Sequence, residues 1–77
     1  MARSVFSQRY SKLCAALIGA RHEAQLTQID LAKKLRRPQS FVSKYERGER
    51  RLDVIEFIDV TEALKIQPGK MIDDIRR

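Results

Sequence analysis

The same helix-start signal occurs twice in this chain, as Leu26-Thr27-x-x-Asp30-Leu31 and as Leu52-Asp53-x-x-Glu56-Phe57. In each, the capping side chain accepts a bond from the free amide three residues on, and the acidic residue there reaches back to the cap. The apolar residue before the cap staples to the one after the first turn. Two such starts divide the chain into short helices. No stretch shows the period-2 alternation of a strand, so an all-α domain is expected.

Periodicity fills in the remaining elements. Phe6, Tyr10, Leu13 and Leu17 fall on one helical stripe, which predicts a first helix over roughly 7–23 with Cys14 as a small buried hydrophobe. Gly19 inside that helix lowers its intrinsic propensity. The second helix runs from the Thr27 cap to about Leu35, with Leu31, Ala32 and Leu35 inward. Arg36-Arg37-Pro38 interrupts it, and proline suits the first turn of a new helix. The third runs from Pro38 or Gln39 to Arg47, with Gly48 just beyond, where a left-handed residue closes the last turn. A fourth follows Asp53 to about Leu64, with Val54, Phe57, Ile58, Thr61 and Leu64 inward. Gln67-Pro68 opens a fifth that carries Met71, Ile72 and Ile75.

The third helix has a divided surface. Val42 and Tyr45 point inward, while Gln39, Ser40, Ser43, Lys44 and Arg47 share the other side by their three- and four-residue spacing. That side is polar and rich in hydrogen-bond donors. Charge is concentrated around it. The 77 residues carry a formal +6, made of +8 over 1–51 (12 basic, 4 acidic) and −2 over 52–77 (4 basic, 6 acidic). One end is thus a candidate polyanion surface. Two short helices with a tight break, the second presenting donors, fit a helix-turn-helix. A major groove admits one helix, and its base edges can be read by Gln, Ser and Lys.

Other function classes are poorly served. The only histidine, His22, follows the only cysteine, Cys14, by two turns of one helix, a rise of ~12 Å that no nucleophile–base pair spans. There is no phosphate-cradling glycine loop and no metal-ligand cluster, so neither an enzyme, a cofactor nor a small-molecule substrate is implied. Leu13 to Gly19 is the longest apolar stretch, far short of a bilayer span. The basic start before it only faintly resembles an export signal, because 8–12 is polar. A lone thiol with no export signal points to the cytoplasm.

The run Leu26-Thr27-Gln28-x-x-Leu31-Ala32-x-x-Leu35, then Gln39-Ser40-x-Val42-Ser43-x-Tyr45-Glu46-x-Gly48, resembles the phage repressor and Cro-like (Xre) helix-turn-helix family. The likeness extends from about Leu17 to Ile75. It implies a compact five-helix, lambda-repressor-like DNA-binding domain with the helix-turn-helix at about 27–48, acting as a transcriptional regulator. By resemblance, Gln39, Ser40, Ser43 and Lys44 contact bases. Gln39 suits adenine, and Lys44 suits guanine N7 and O6. Gln28, Arg37, Arg47, Arg50 and Arg51 are the implied phosphate contacts, and Gln28 also braces Gln39. Phe41 has two open placements, beside the second helix or against a thymine methyl or sugar. Arg21 and Glu46 are implied to form a structural ion pair that holds the third helix.

Two positions depart from the family pattern. Gln25 and Arg36 stand where glycine is usual, and each costs about 1 kcal/mol if φ is positive there. Members of this class commonly bind a (pseudo)palindrome of double-stranded DNA as two-fold dimers. With no second domain in the 77 residues, a homodimer is expected through 64–77, with Leu64, Ile66, Met71 and Ile75 at the contact. The competing function is an antitoxin-like or adaptor module whose main partner is another protein.

Overall fold

Five helices follow one another in a computed structural model that describes residues 7–76: α1 (Gln8–Glu23), α2 (Gln28–Leu35), α3 (Gln39–Glu46), α4 (Val54–Ala63) and α5 (Pro68–Arg76). Among the described residues there is no strand. Phe6, expected on the first stripe, lies outside them. Both capping boxes form. Thr27 Oγ1 accepts from Asp30 N at 3.0 Å while Thr27 N donates to Asp30 Oδ2 at 2.9 Å. Asp53 Oδ1 accepts from Glu56 N at 2.7 Å, and Asp53 N donates to Glu56 Oε1 at 3.0 Å.

One motif ends α1 to α4. Gln25, Arg36, Gly48 and Lys65 all have positive φ, between 56° and 76°. The next amide then bonds back into the last turn: Leu26 N to Arg21 O, Arg37 N to Ala32 O, Glu49 N to Lys44 O and Ile66 N to Thr61 O, at 2.9–3.1 Å. These bonds satisfy carbonyls that the helix itself leaves open. Three of the four left-handed residues are not glycine. The left-handed turns that the resemblance implies are thus present at Gln25 and Arg36, each with a strained non-glycine residue, and Lys65 is a third such site that its sequence context does not signal.

Leu17, Leu31, Val42, Tyr45 and Val60 are fully buried at the centre, where α1 to α4 meet, and Met71 closes the core from α5. Phe41 is buried too, edge-on to Tyr45 with ring centroids 5.6 Å apart. Of its two expected placements, it therefore takes the one within the domain. On α4 the inward set differs from the expected one. Val54 is 71% exposed, because the first position of the helix overhangs the edge of the core, and Val60 takes the inward place. Leu64 and Met71, expected at a contact between copies, are 6% and 7% exposed. They serve this chain's own core, since α5 packs across α1 and α4. Ile66 and Ile75 are half-buried beside them, and the exposed apolar residue of α5 is Ile72.

Candidate nucleic-acid interface

The outer face of α3 presents Gln39, Ser40, Lys44 and Arg47 to solvent, with Ser43 half-buried among them. The helix is fixed behind that face by a buried ion pair. Arg21 Nε donates to Glu46 Oε2 at 2.8 Å and Arg21 Nη2 to Glu46 Oε1 at 3.2 Å, a two-pronged contact between the end of α1 and the end of α3. Arg21 Nη1 donates to Leu26 O at 2.9 Å, which ties in the α1–α2 turn. Bonding to Glu46 raises the affinity of the Arg21 guanidinium for its proton. The desolvation of both groups is tolerated because nearly every donor and acceptor is matched.

The same carboxylate reaches the exposed face through two glutamines. Gln28 Nε2 donates to Glu46 Oε1 at 2.9 Å, and Gln39 Nε2 donates to Gln28 Oε1 at 3.3 Å. A carboxylate only accepts, so Gln28 must turn its nitrogen to Glu46 and its oxygen to Gln39. The amide group of Gln39 is in turn held by its nitrogen, with its oxygen left free. A chain of bonds thus runs from the core to the first residue of α3.

The basic residues divide into two groups. Arg47 pairs with Glu49 at 3.2 Å, but both are more than half exposed, and such a pair is readily exchanged for another anion. Arg51 is exposed with its guanidinium 4.8 Å from the Tyr10 ring centre. Arg50, by contrast, is held by the protein itself, although its side chain is 39% exposed. Its Nη1 and Nη2 donate to the two oxygens of Glu56 at 2.8 and 2.7 Å. Arg37 lies 3.5 Å from the same carboxylate. The sequence pattern assigned Glu56 only to a capping box; its partnership with Arg50, across a loop, has no periodic signature.

A second anchor was equally hidden. Tyr10 Oη donates to Arg50 O at 3.1 Å and accepts from Leu52 N at 3.2 Å. The α3–α4 loop is thereby pinned to α1. Burial pushes the Tyr10 phenol up from its ordinary pKa, which keeps it protonated and able to donate. Among the described residues no group of three or more His, Cys, Asp or Glu is placed to hold a metal, and no helix is long and apolar enough to cross a membrane.

Comparison with known proteins agrees with this architecture. A helix-turn-helix family model matches residues 20–71. An XRE-family-like protein from Pseudomonas syringae pv. tomato str. DC3000 superposes with a TM-score of 0.85 and is 47% identical, over 88% of this chain and 83% of that one. A point mutant of the restriction–modification controller protein C.Esp1396I superposes with a TM-score of 0.80 at 26% identity, over 90% of this chain and 87% of that one. No curated protein sequence matches. With the fold, the helix pair and these relatives in agreement, the chain belongs to the XRE-like helix-turn-helix family of DNA-binding transcriptional regulators.

Proposed function

We propose that the protein acts as a homodimer on a (pseudo)palindromic operator, with α3 in the major groove of double-stranded DNA. The observation that carries this reading is the bond chain from Arg21 through Glu46 and Gln28 to Gln39, which orders a base-reading side chain before DNA arrives. Gln39, Ser40, Ser43 and Lys44 read bases. Gln28, Arg37, Arg47 and Arg51 meet phosphates around them, and Arg50 joins them from its seat on Glu56.

The homodimer reading draws on an apolar surface built mostly, though not wholly, from the acidic segment 52–77. An apolar groove of about 430 Å³ opens between α1, α4 and α5, lined by Leu13, Leu52, Val54, Phe57, Ile72 and Ile75. Arg9, Arg76 and Asp53 also line it, so a second copy related by a two-fold axis meets both signs of charge there. Val54 and Ile72 of this lining are exposed, as is Ile55 next in sequence to Val54. Ile75 is the member of the expected 64–77 contact that lines this groove, and Ile66 stays beside it in the proposal.

Selecting duplexes from a random library tests both halves of the proposal. A consensus with two-fold symmetry, bound by two chains, is expected. Binding that neither prefers a sequence nor falls steeply with salt overturns it, in favour of a module whose partner is another protein.

A further inference from the structure

Glu56 lies on α4, outside the face that reads bases, yet it gathers groups from three segments. Its Oε1 accepts from Arg50 Nη1 at 2.8 Å and from Asp53 N at 3.0 Å. Its Oε2 accepts from Arg50 Nη2 at 2.7 Å and lies 3.5 Å from Arg37 Nη1. Both guanidiniums lie over the ring of Phe41, Arg37 at 4.4 Å and Arg50 at 4.9 Å from its centre. Arg37 comes from the α2–α3 turn, Phe41 from α3 and Arg50 from the α3–α4 loop. The Glu56 side chain is 10% exposed, whereas those of Arg37 and Arg50 are 40% and 39% exposed. The carboxylate is enclosed, and each guanidinium keeps an open side.

We propose that Glu56 is a positioning residue for DNA binding, holding Arg37 and Arg50 against Phe41 at the edge of α3 so that their open sides meet the phosphate backbone in fixed register. This rests on the reading of α3 as the groove-entering helix. A carboxylate beside a phosphate-binding surface works against long-range attraction, because it subtracts one unit of positive charge. It favours binding only by order. Arginine has a long, rotamer-rich side chain, and a guanidinium already held by one carboxylate loses less freedom on meeting a phosphate. Its five donors leave enough for both partners. Contact with the Phe41 ring gives each guanidinium a second point of attachment.

Charge and order therefore predict opposite signs for one substitution. Glu56→Gln keeps a residue that can complete the α4 capping box, and it raises the formal net charge of +6 by one unit. Binding is measured by fluorescence anisotropy across a salt series, on the duplex selected by the unaltered chain and on a random duplex. About tenfold weaker binding to the selected duplex is expected, with random-duplex binding unchanged or tighter. Equal or tighter binding to both duplexes overturns the proposal. Arg50→Lys, which keeps the charge and the α4 cap but loses the fork, is expected to weaken selected-duplex binding by a similar factor. It decides the matter if Glu56→Gln does not fold, and unchanged binding of this variant also overturns the proposal. An unaltered chain that binds no duplex removes the DNA-binding reading itself, a result distinct from either.

Discussion

Gln39 Nε2 donates to Gln28 Oε1 across 3.3 Å, joining the first residue of α3 to the first residue of α2. Because Gln28 is itself held by Glu46, the position of the exposed Gln39 side chain, proposed to enter the groove, depends on a buried carboxylate. Gln28→Ala removes that link without disturbing the core. It is expected to cost about 1–3 kcal/mol in urea unfolding, since the lost bond is to a carboxylate, while relaxing the base preference at the position proposed for Gln39. Selection with the variant checks this, and an unchanged preference counts against the link.

Arg21 and Glu46 are both buried and bonded chiefly to each other. Removing one partner leaves the other charge without compensation in a small core. Arg21→Met should therefore cost ~3 kcal/mol or more in denaturant unfolding. A loss below ~1 kcal/mol, the range of exposed pairs, speaks against a structural role.

The left-handed helix ends give a matched pair of variants. Arg36→Gly and Lys65→Gly both relieve positive φ at an exposed residue, and each is expected to raise stability by up to about 1 kcal/mol. Only Arg36→Gly, which removes a positive charge next to Arg37 in the α2–α3 turn, is expected to weaken DNA binding. A loss of stability on Arg36→Gly contradicts this account of the turn.

Glu56 carries a pH signature. Its bonds to Arg50 lead, with the Asp53 amide and Arg37 adding to them, in holding its pKa at about 2 against an ordinary 4.5. The folded value lies below the unfolded one, so the stabilisation is complete above pH 4.5 and is lost as pH falls towards 2. The partly exposed arginines reduce its size, to on the order of 2 kcal/mol. Urea midpoints from pH 5 to 2 should fall for the unaltered chain and flatten in Glu56→Gln.

Tyr45 is fully buried, and its hydroxyl has no hydrogen-bond partner among the described residues. Burial pushes its pKa upward, so it stays neutral. Tyr45→Phe keeps the ring and its contact with Phe41 and removes the unmatched group. Stability is expected to stay level or rise by up to about 1 kcal/mol. A clear drop in melting temperature contradicts that.

Most of the fold was legible because its signals are local. Thr27 with Asp30 and Asp53 with Glu56 fix two helix starts within four residues, and Gly48 marks one end. The contacts that place Arg50 are not local: Tyr10 and Leu52 meet across 42 positions, and Arg50 meets Glu56 across a loop. Charge alone made Arg50 resemble its neighbour Arg51. Surplus apolar residues on α5 were legible in number but not in direction. Met71 turns inward and Ile72 outward, and that depends on where α1 and α4 lie.

The most direct measurement is a second library selection, made with Gln39→Ala and compared with the unaltered chain. The same two-fold consensus is expected, with preference lost at one position in each half-site, a change of ~1–3 kcal/mol there. An unchanged consensus would contradict the assignment of α3 as the reading helix.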